Sequence, residues 1–527
     1  MLVSNASCVL ADDILTQKSG KPQRVGKYRI GRYQLDPDLG SIQNSSIATR
    51  WLEDCRTLHK GCPNKHLSKL PTRVIDVGPS DEPTNPRLLL SEGIQARYAA
   101  LSHCWGGEVW PRLTTENIDS FRKAIPLSDL PANFRDAIFL TKQLGIQYLW
   151  IDALCIEQDS KEDWEAESQK MGSVYKDSTI TISATMSGRS TDGFLGQKFP
   201  PNIFRGNVEL KTWTDQASDA RIKVNLKNEE EENLSRLFRT CPWNKRGWTL
   251  QESVISPRVL YFGERQIYWK CLKGFQSADG VTSAILMPES DLYPEILKVI
   301  HSQTLAISER HQPDLATVMD NYRELVKDYN LRTLSFNSDK FPAFSGLAAL
   351  IHPTIGGEYL AGIWSEDFRR GLVWTTEMEE CRHTLSDQAP SWSWAVTNDP
   401  VRYYPIERKR AASPEDAQLL GHNIELKSAN IYGPVDSGCL IIGGLTKPLV
   451  RSTQSFDFQL DRVNCPYTVW FDEKEGSETN VRPEVVEITD DSEFYLLYAI
   501  SNYRTFSLGI LPVLSYRAVS FRFPMLM

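Results

Sequence analysis

Three short stretches hold the side chains best suited to chemistry. In the first, Ser102, His103 and Cys104 are adjacent and run into Trp105-Gly106-Gly107. In the second, Asp152 follows Tyr148-Leu149-Trp150-Ile151, with Cys155 and Gln158 soon after it. The third is Trp243-Asn244-Lys245-Arg246-Gly247-Trp248-Thr249-Leu250-Gln251-Glu252. On a helix, Trp248 and Glu252 lie one turn apart on one face. Brought together, the stretches supply two carboxylates, a hydroxyl, a guanidinium and indole rings. That set suits a polar ligand bearing ribose or phosphate. Gly106 and Gly107 would let a backbone approach such a ligand closely, and Trp105 offers a stacking face.

Each residue also has a plainer reading. Trp105, Trp150 and Trp248 are of a type more often buried in a core than set against a ligand. Asp152 can cap the turn that follows it. Arg246 and Glu252 can pair with each other, because buried charges find partners. A Cys–His nucleophile pair on Cys104 or Cys155 is weakly supported, since no distant histidine stands out by its context.

The elements that must position these residues are legible. The first two stretches are apolar runs of strand length that break into small, polar and acidic residues. A buried parallel strand has this texture at its carboxyl end, where open α/β sheets place their ligands. Between them Phe134, Ala137, Ile138, Thr141 and Leu144 recur at helical spacing. Ser160 and Asp163 can open a further helix as a capping box, with Trp164, Ser168, Met171 and Tyr175 on its inner face. Thr179-Ile180-Thr181-Ile182-Ser183 then reads as a third strand, completing a βαβαβ unit. The expected fold class is α/β, an open, mostly parallel sheet flanked by helices over residues 91–256. Residues 1–90 read as an arm with a small helix and strand segment, and 257–527 as a mixed, β-rich C-terminal domain.

Around this unit, Thr72 to Val77 and Arg87 to Leu90 read as short strands extending the sheet, and Val259 to Trp269 as a hairpin around Gly263. Residues 285–335 read as helical, with Tyr322, Leu325, Val326 and Tyr329 on one face. From about residue 420 the chain is strand-like. The four glutamates before Asn233 read as a solvated segment.

The whole chain narrows the function classes. At 527 residues it exceeds one compact core. A net charge of −8 leaves no basic excess for general nucleic-acid binding. No apolar run approaches the roughly 20 residues needed to span a bilayer. Cys8-Val9-Leu10-Ala11 ahead of Asp12-Asp13 is too short for a signal-peptide core, so a cytoplasmic protein is expected. The ten cysteines are scattered singly, as reduced, buried thiols are. Cys55, His59 and Cys62 form a Cys-x3-His-x2-Cys cluster that can hold zinc, given His66 or a remote cysteine as fourth ligand. No second Cys/His pair stands at a diagnostic spacing, so the favoured reading is a helix end with two buried thiols, and no metal is assigned. There is no Walker-type loop, no Gly-x-Gly-x-x-Gly after a strand, no His-Glu-x-x-His and no Gly-x-Ser-x-Gly elbow. Common ATPases, Rossmann dehydrogenases, zincins and α/β-hydrolases are disfavoured.

Five stretches in one order resemble the fungal heterokaryon-incompatibility (HET) family. Its Ala-Leu-Ser-Tyr-Cys-Trp-Gly strand is matched by Ala100 to Gly106. Its Leu-Pro…Phe-Arg-Asp-Ala helix is matched by Leu130 to Ala137, and its Trp-Ile-Asp-Ala-Leu-Cys-Ile-x-Gln strand by Trp150 to Gln158. Met171 to Tyr175 and Arg246 to Glu252 match the Met-x-x-Val-Tyr helix and the Arg-Gly-Trp-Thr-Leu-Gln-Glu stretch. The similarity continues through Trp51 to Cys62, Pro342 to Ala348 and Pro390 to Trp394. His103 departs from the family's usual tyrosine, so no hydroxyl role carries over there. The tail beyond Tyr498 fits no family pattern.

The resemblance implies a role in nonself recognition that triggers regulated cell death. The family's domain is distantly similar to TIR domains, some of which cleave NAD between nicotinamide and ribose. Under that analogy Glu252 is the catalytic carboxylate, engaging ribose hydroxyls and stabilising an oxocarbenium-like transition state. Asp152 and Ser102 would orient the ribose, Trp105 or Trp248 would stack on a ring and Arg246 would hold phosphate, with Gly106 and Gln158 completing the site. NAD is then a substrate, and no resident cofactor is implied. Three functions stand open: an NAD glycohydrolase-like enzyme, a non-enzymatic module that signals by assembly, and a biosynthetic enzyme on a small polar metabolite. The implied partners are further copies of the chain or another incompatibility protein, with no nucleic acid and no membrane span.

Overall fold

The computed structural model describes residues 35–63, 67–79, 84–196, 232, 236–280, 294–302, 314–376, 389–390, 392–403 and 417–443, with short strands at 15–16, 23–25, 28–30, 207–211, 221–225, 446–451, 458–460, 494–498 and 507–510. The chain divides into two compact units, Met1–Asp291 with Thr304–Glu309, and Leu292–Gln303 with Arg310–Met527.

In the first unit the elements that build and flank the main sheet include α1 (Ile42–Leu58), β1 (Arg73–Asp76), β2 (Arg87–Leu90), β3 (Tyr98–Ser102), α2 (Ala132–Gln143), β4 (Tyr148–Trp150) and α3 (Asp152–Cys155). They continue with α4 (Lys161–Ser168), α5 (Met171–Asp177), β5 (Ile180–Ser183), α6 (Trp248–Ile255), β6 (Arg258–Phe262), β7 (Ile267–Cys271) and β8 (Gly274–Ser277). Eight strands make one sheet in the order β8-β7-β6-β5-β3-β4-β1-β2.

The sheet is mixed, which corrects the mostly parallel sheet expected from the sequence. Only β6–β5, β5–β3 and β3–β4 pair in parallel. The β6–β7, β7–β8, β4–β1 and β1–β2 pairs are antiparallel. Connections explain much of the difference: strands joined through helices come out parallel, whereas the short turns between β6, β7 and β8 add antiparallel neighbours on one flank. The hairpin strands past residue 257 are strands of this sheet, and the first unit runs on to Asp291.

Strand order puts the switch point of the sheet, where α/β folds open their ligand crevice, at the centre. The chain leaves β3 through α2 to β4 on one side, and leaves β5 through α6 to β6 on the other. Neighbouring parallel strands whose connections diverge open a crevice at their carboxyl ends. Ser102 and Ser183, paired across that boundary, are the last residues of their strands. Every residue of β3, β5 and β6 is buried, as strands covered on both faces must be.

Local signals work as the sequence indicates, with two revisions. Ser160 Oγ accepts from the Asp163 N–H at 3.1 Å and starts α4. The single helix expected to reach Tyr175 is two, α4 and α5. At the break Glu167 is buried and accepts from Thr72 Oγ1 at 2.8 Å and Lys170 Nζ at 2.7 Å. Arg73 of β1 is also buried. It donates to the Cys155 carbonyl at 2.7 Å, to Glu157 at 3.0 Å and to Asp163, fixing the loop that follows Asp152. Glu232, the one described member of the glutamate run, is partly buried and bonded rather than solvated. It accepts from Tyr268 Oη at 2.8 Å and from the N–H groups of Glu264 and Arg265 in the β6–β7 turn.

The second unit holds helices α7 (Pro294–Ser302), α8 (Leu315–Asn330) and α9 (Pro342–Ile355), and a hairpin of β9 (Gln418–Leu426) and β10 (Val435–Gly443). Tyr322, Leu325, Val326 and Tyr329 are buried on α8 as their spacing predicts. Tyr329, Phe344 and Trp394 pack ring on ring at centroid distances of 5.1–5.8 Å. A strand at Phe494–Tyr498 pairs with Ser507–Ile510, and the tail from 511 lies outside the described residues. None of the seven described cysteines forms a disulfide, and Cys439 alone among them is exposed. No described helix is long and apolar enough to cross a membrane.

Candidate functional site

Ser102 ends β3 with its side chain fully buried. Its Oγ accepts the Trp243 indole N–H at 2.6 Å and donates to Glu252 Oε2. Glu252 comes from α6, and Tyr175 from α5 lies beside its carboxylate while donating to the Leu101 carbonyl at 3.2 Å. The serine, the tryptophan and the glutamate thus meet at the carboxyl end of the central strand, each delivered by a different element.

Asp152 opens α3 at the carboxyl end of the neighbouring strand. Its Oδ2 accepts the Trp105 indole N–H at 2.8 Å, and its Oδ1 lies 3.5 Å from His103 Nε2. His103 is buried and packs edge-on against Phe134 at 5.2 Å. The Arg246 guanidinium donates to the His103 carbonyl and bears electrostatically on both carboxylates. Among the described residues no ion pair joins Arg246 to Glu252, so the direct pairing that the sequence allowed is not formed, and the guanidinium acts on that carboxylate electrostatically.

The two carboxylates are driven in opposite directions. Burial raises Glu252 above the usual carboxylate range, against the opposing pull of Arg246 and the Ser102 hydroxyl, and the negative charge of Asp152 adds to the rise. Burial acts on Asp152 too, but His103, Arg246 and the Trp105 N–H outweigh it and hold that carboxyl low. Asp152 keeps 21% of its side-chain surface in contact with solvent, whereas Glu252 keeps 4% of its residue surface. The carboxyl that is held low is therefore the more exposed of the two, and the one that burial raises is the more deeply buried.

A sequence-family model described as Heterokaryon incompatibility protein (HET) matches residues 98–252. The chain carries a heterokaryon-incompatibility domain. The matched span opens on the first residue of β3 and closes on Glu252, so all the residues just described lie within the HET domain. No curated protein and no solved structure matches the chain.

The HET domain thus brings Ser102, Asp152, Glu252, Trp105 and Arg246 into one network. Trp248 begins α6, partly exposed, one turn before Glu252. Gln158 serves as a brace, its Nε2 donating to the Asp152 and Ile156 carbonyls at 3.2 and 3.0 Å. Gly106 admits a close approach, but by the chain's own backbone. A Cβ there would lie 2.5 Å from the Gly188 carbonyl oxygen and 2.6 Å from Arg189 Cα, at a φ of +70°. Burial pushes the thiols of Cys104 and Cys155 up to about 11 and about 12, so both stay protonated near neutrality and are poor nucleophiles.

Trp243 and Tyr175 are participants that the sequence reading assigned no role. Trp243 lies inside the third stretch, and Tyr175 in the Met-x-x-Val-Tyr helix. Their types alone gave no signal beyond core packing.

Proposed function

We propose that this HET-domain protein acts in nonself recognition leading to regulated cell death, and that its domain cleaves NAD at the nicotinamide–ribose bond. The observation that carries the catalytic half is the pair of carboxylates with opposed proton affinities at the divergence of β3 and β5. Environments that separate two such affinities divide acid from base roles. Water replaces nicotinamide at the anomeric carbon, giving nicotinamide, ADP-ribose and a proton. In this reading the ionised Asp152 faces the positive charge that develops on the ribose. Glu252, at the Trp-x-x-x-Glu spacing shared with TIR domains, engages the ribose hydroxyls. Ser102 acts through Glu252 by holding its carboxylate. Arg246 supplies charge for the diphosphate, and the Trp105 and Trp248 rings supply flat faces.

The test is NAD consumption by the purified full chain beside Glu252→Gln and Asp152→Asn. Nicotinamide release that both variants lack supports the proposal. No release from the native chain under any ligand or partner condition that triggers death in cells overturns it.

The burial of Glu252 favours a second reading, in which the polar network holds the fold and the protein signals by assembly. Self-association on activation, with death unaffected by Glu252→Gln, would select it. A chain that stays monomeric at high concentration would count against it.

A further inference from the structure

Outside the crevice, three cysteines and a histidine converge. Cys55 lies near the end of α1, and His59 caps that helix. Cys62 follows in a turn closed by its N–H to the His59 carbonyl at 3.2 Å. Cys271 is the last residue of β7. The four ligand atoms all lie within 4.8 Å of one another. His59 Nδ1 is 3.8 Å from Cys62 Sγ and 3.5 Å from Cys271 Sγ. A tetrahedral zinc with Zn–S near 2.3 Å and Zn–N near 2.0 Å sets its ligands about 3.5–3.8 Å apart. His66, the other fourth ligand considered from the sequence, lies outside the described residues.

We propose that Cys55, His59, Cys62 and Cys271 form a closed, structural Cys3His zinc site that staples α1 to β7. Hydrogen bonding alone explains the cluster poorly. His59 Nδ1 carries one lone pair, yet two sulfurs crowd it, and all three thiols are buried. Charge balance also fits. Three thiolates around Zn2+ leave one negative charge, and the buried Arg258 donates its Nε to Cys55 Sγ at 3.1 Å. The same guanidinium donates to the Thr179 carbonyl at 3.3 Å and to the Pro63 carbonyl, so it also anchors the ligand loop. Each coordinating thiol releases its proton to solvent as the metal binds.

The staple bears on the HET domain. Trp51 of α1 meets Trp269 of β7 at 6.3 Å between ring centroids. Lys270 of β7 donates to the Ser253 carbonyl of α6, the helix of Glu252, at 3.1 Å.

The test is the metal content of the tag-free full chain purified from zinc-supplied cells, before and after a thiol-modifying reagent. About one zinc per chain, released as thiols are modified, is expected. Cobalt in its place should show a thiolate-to-metal charge-transfer band with the ligand-field bands of a tetrahedral centre. Cys271→Ser should lose the metal, and Cys439→Ser should keep it. His59→Cys preserves four soft ligands and should also keep it, which guards against a variant that merely fails to fold. A folded native chain that takes up no zinc or cobalt, or a Cys271→Ser variant that retains the full complement, would overturn the proposal.

Discussion

The Trp243 indole N–H and the Ser102 hydroxyl oxygen stand 2.6 Å apart, and that contact sets the direction of the hydrogen bonds behind it. An indole can only donate, so the serine oxygen must accept, and its own hydrogen turns to Glu252. Ser102 is therefore a connector, oriented from one side and committed on the other.

Trp243→Phe removes the donor and keeps most of the buried ring. The buried serine oxygen then lacks its partner, at a cost of about 1–3 kcal/mol. Chemical denaturation should read that loss. Any NAD cleavage should fall with it, because Glu252 loses a defined neighbour.

Glu252→Gln tests function and linkage together. A glutamine still accepts from Ser102, and no ion pair with Arg246 is broken among the described residues, so the loss of roughly 3–5 kcal/mol typical of breaking a buried pair is not expected. Because the folded protein binds the Glu252 proton more tightly than the unfolded chain, this residue makes stability fall as pH rises from the ordinary glutamate value through the raised one. The variant should lack that decline. Unfolding curves between pH 4 and pH 8 would show it, and a uniform loss at all pH values would contradict the account.

Asp152→Asn has the opposite sign. The folded carboxyl is held low, so its stabilisation is present above the ordinary aspartate value and fades as pH falls through the lowered one. The variant should be less stable than the native chain near neutrality and approach it in acid.

Gly106→Ala should destabilise the domain by about 1–3 kcal/mol, through a positive φ and the overlap with the 188–189 backbone. If Gly106 instead served only ligand approach, thermal stability would be unchanged and only ligand affinity would move.

Lys340 in the second unit is buried, donates to Asn330 Oδ1 at 2.9 Å and lies 5.2 Å from the centre of the Tyr329 ring. Burial lowers its affinity for the proton to about 7. Between that value and the ordinary lysine value the unfolded chain binds more protons, so stability rises with pH by about 1.4 kcal/mol per unit. Lys340→Met should flatten this rise, as read by the unfolding of the second unit between pH 7 and pH 9.

Periodicity and punctuation in the sequence determined the local elements. The alternation of apolar runs with helical spacing marked the strands of Ser102 and Asp152, the helix of Phe134 and the hairpin after Arg258, because burial and capping act over a few residues. The same runs also marked the candidate residues, since acidic and small residues at a strand end are visible without a partner. Direction and convergence were decided elsewhere. Whether β1 runs with or against β4 depends on how the chain returns, which no strand records in its own composition. Gly106 reads alike whether a ligand or residues 188–189 approach it. Cys271 completes a cluster with Cys55, His59 and Cys62 only because β7 lies against α1. Nor does any local pattern say that the Trp243 N–H meets Ser102. Contacts between residues far apart in sequence belong to packing, and only the tertiary structure fixes them.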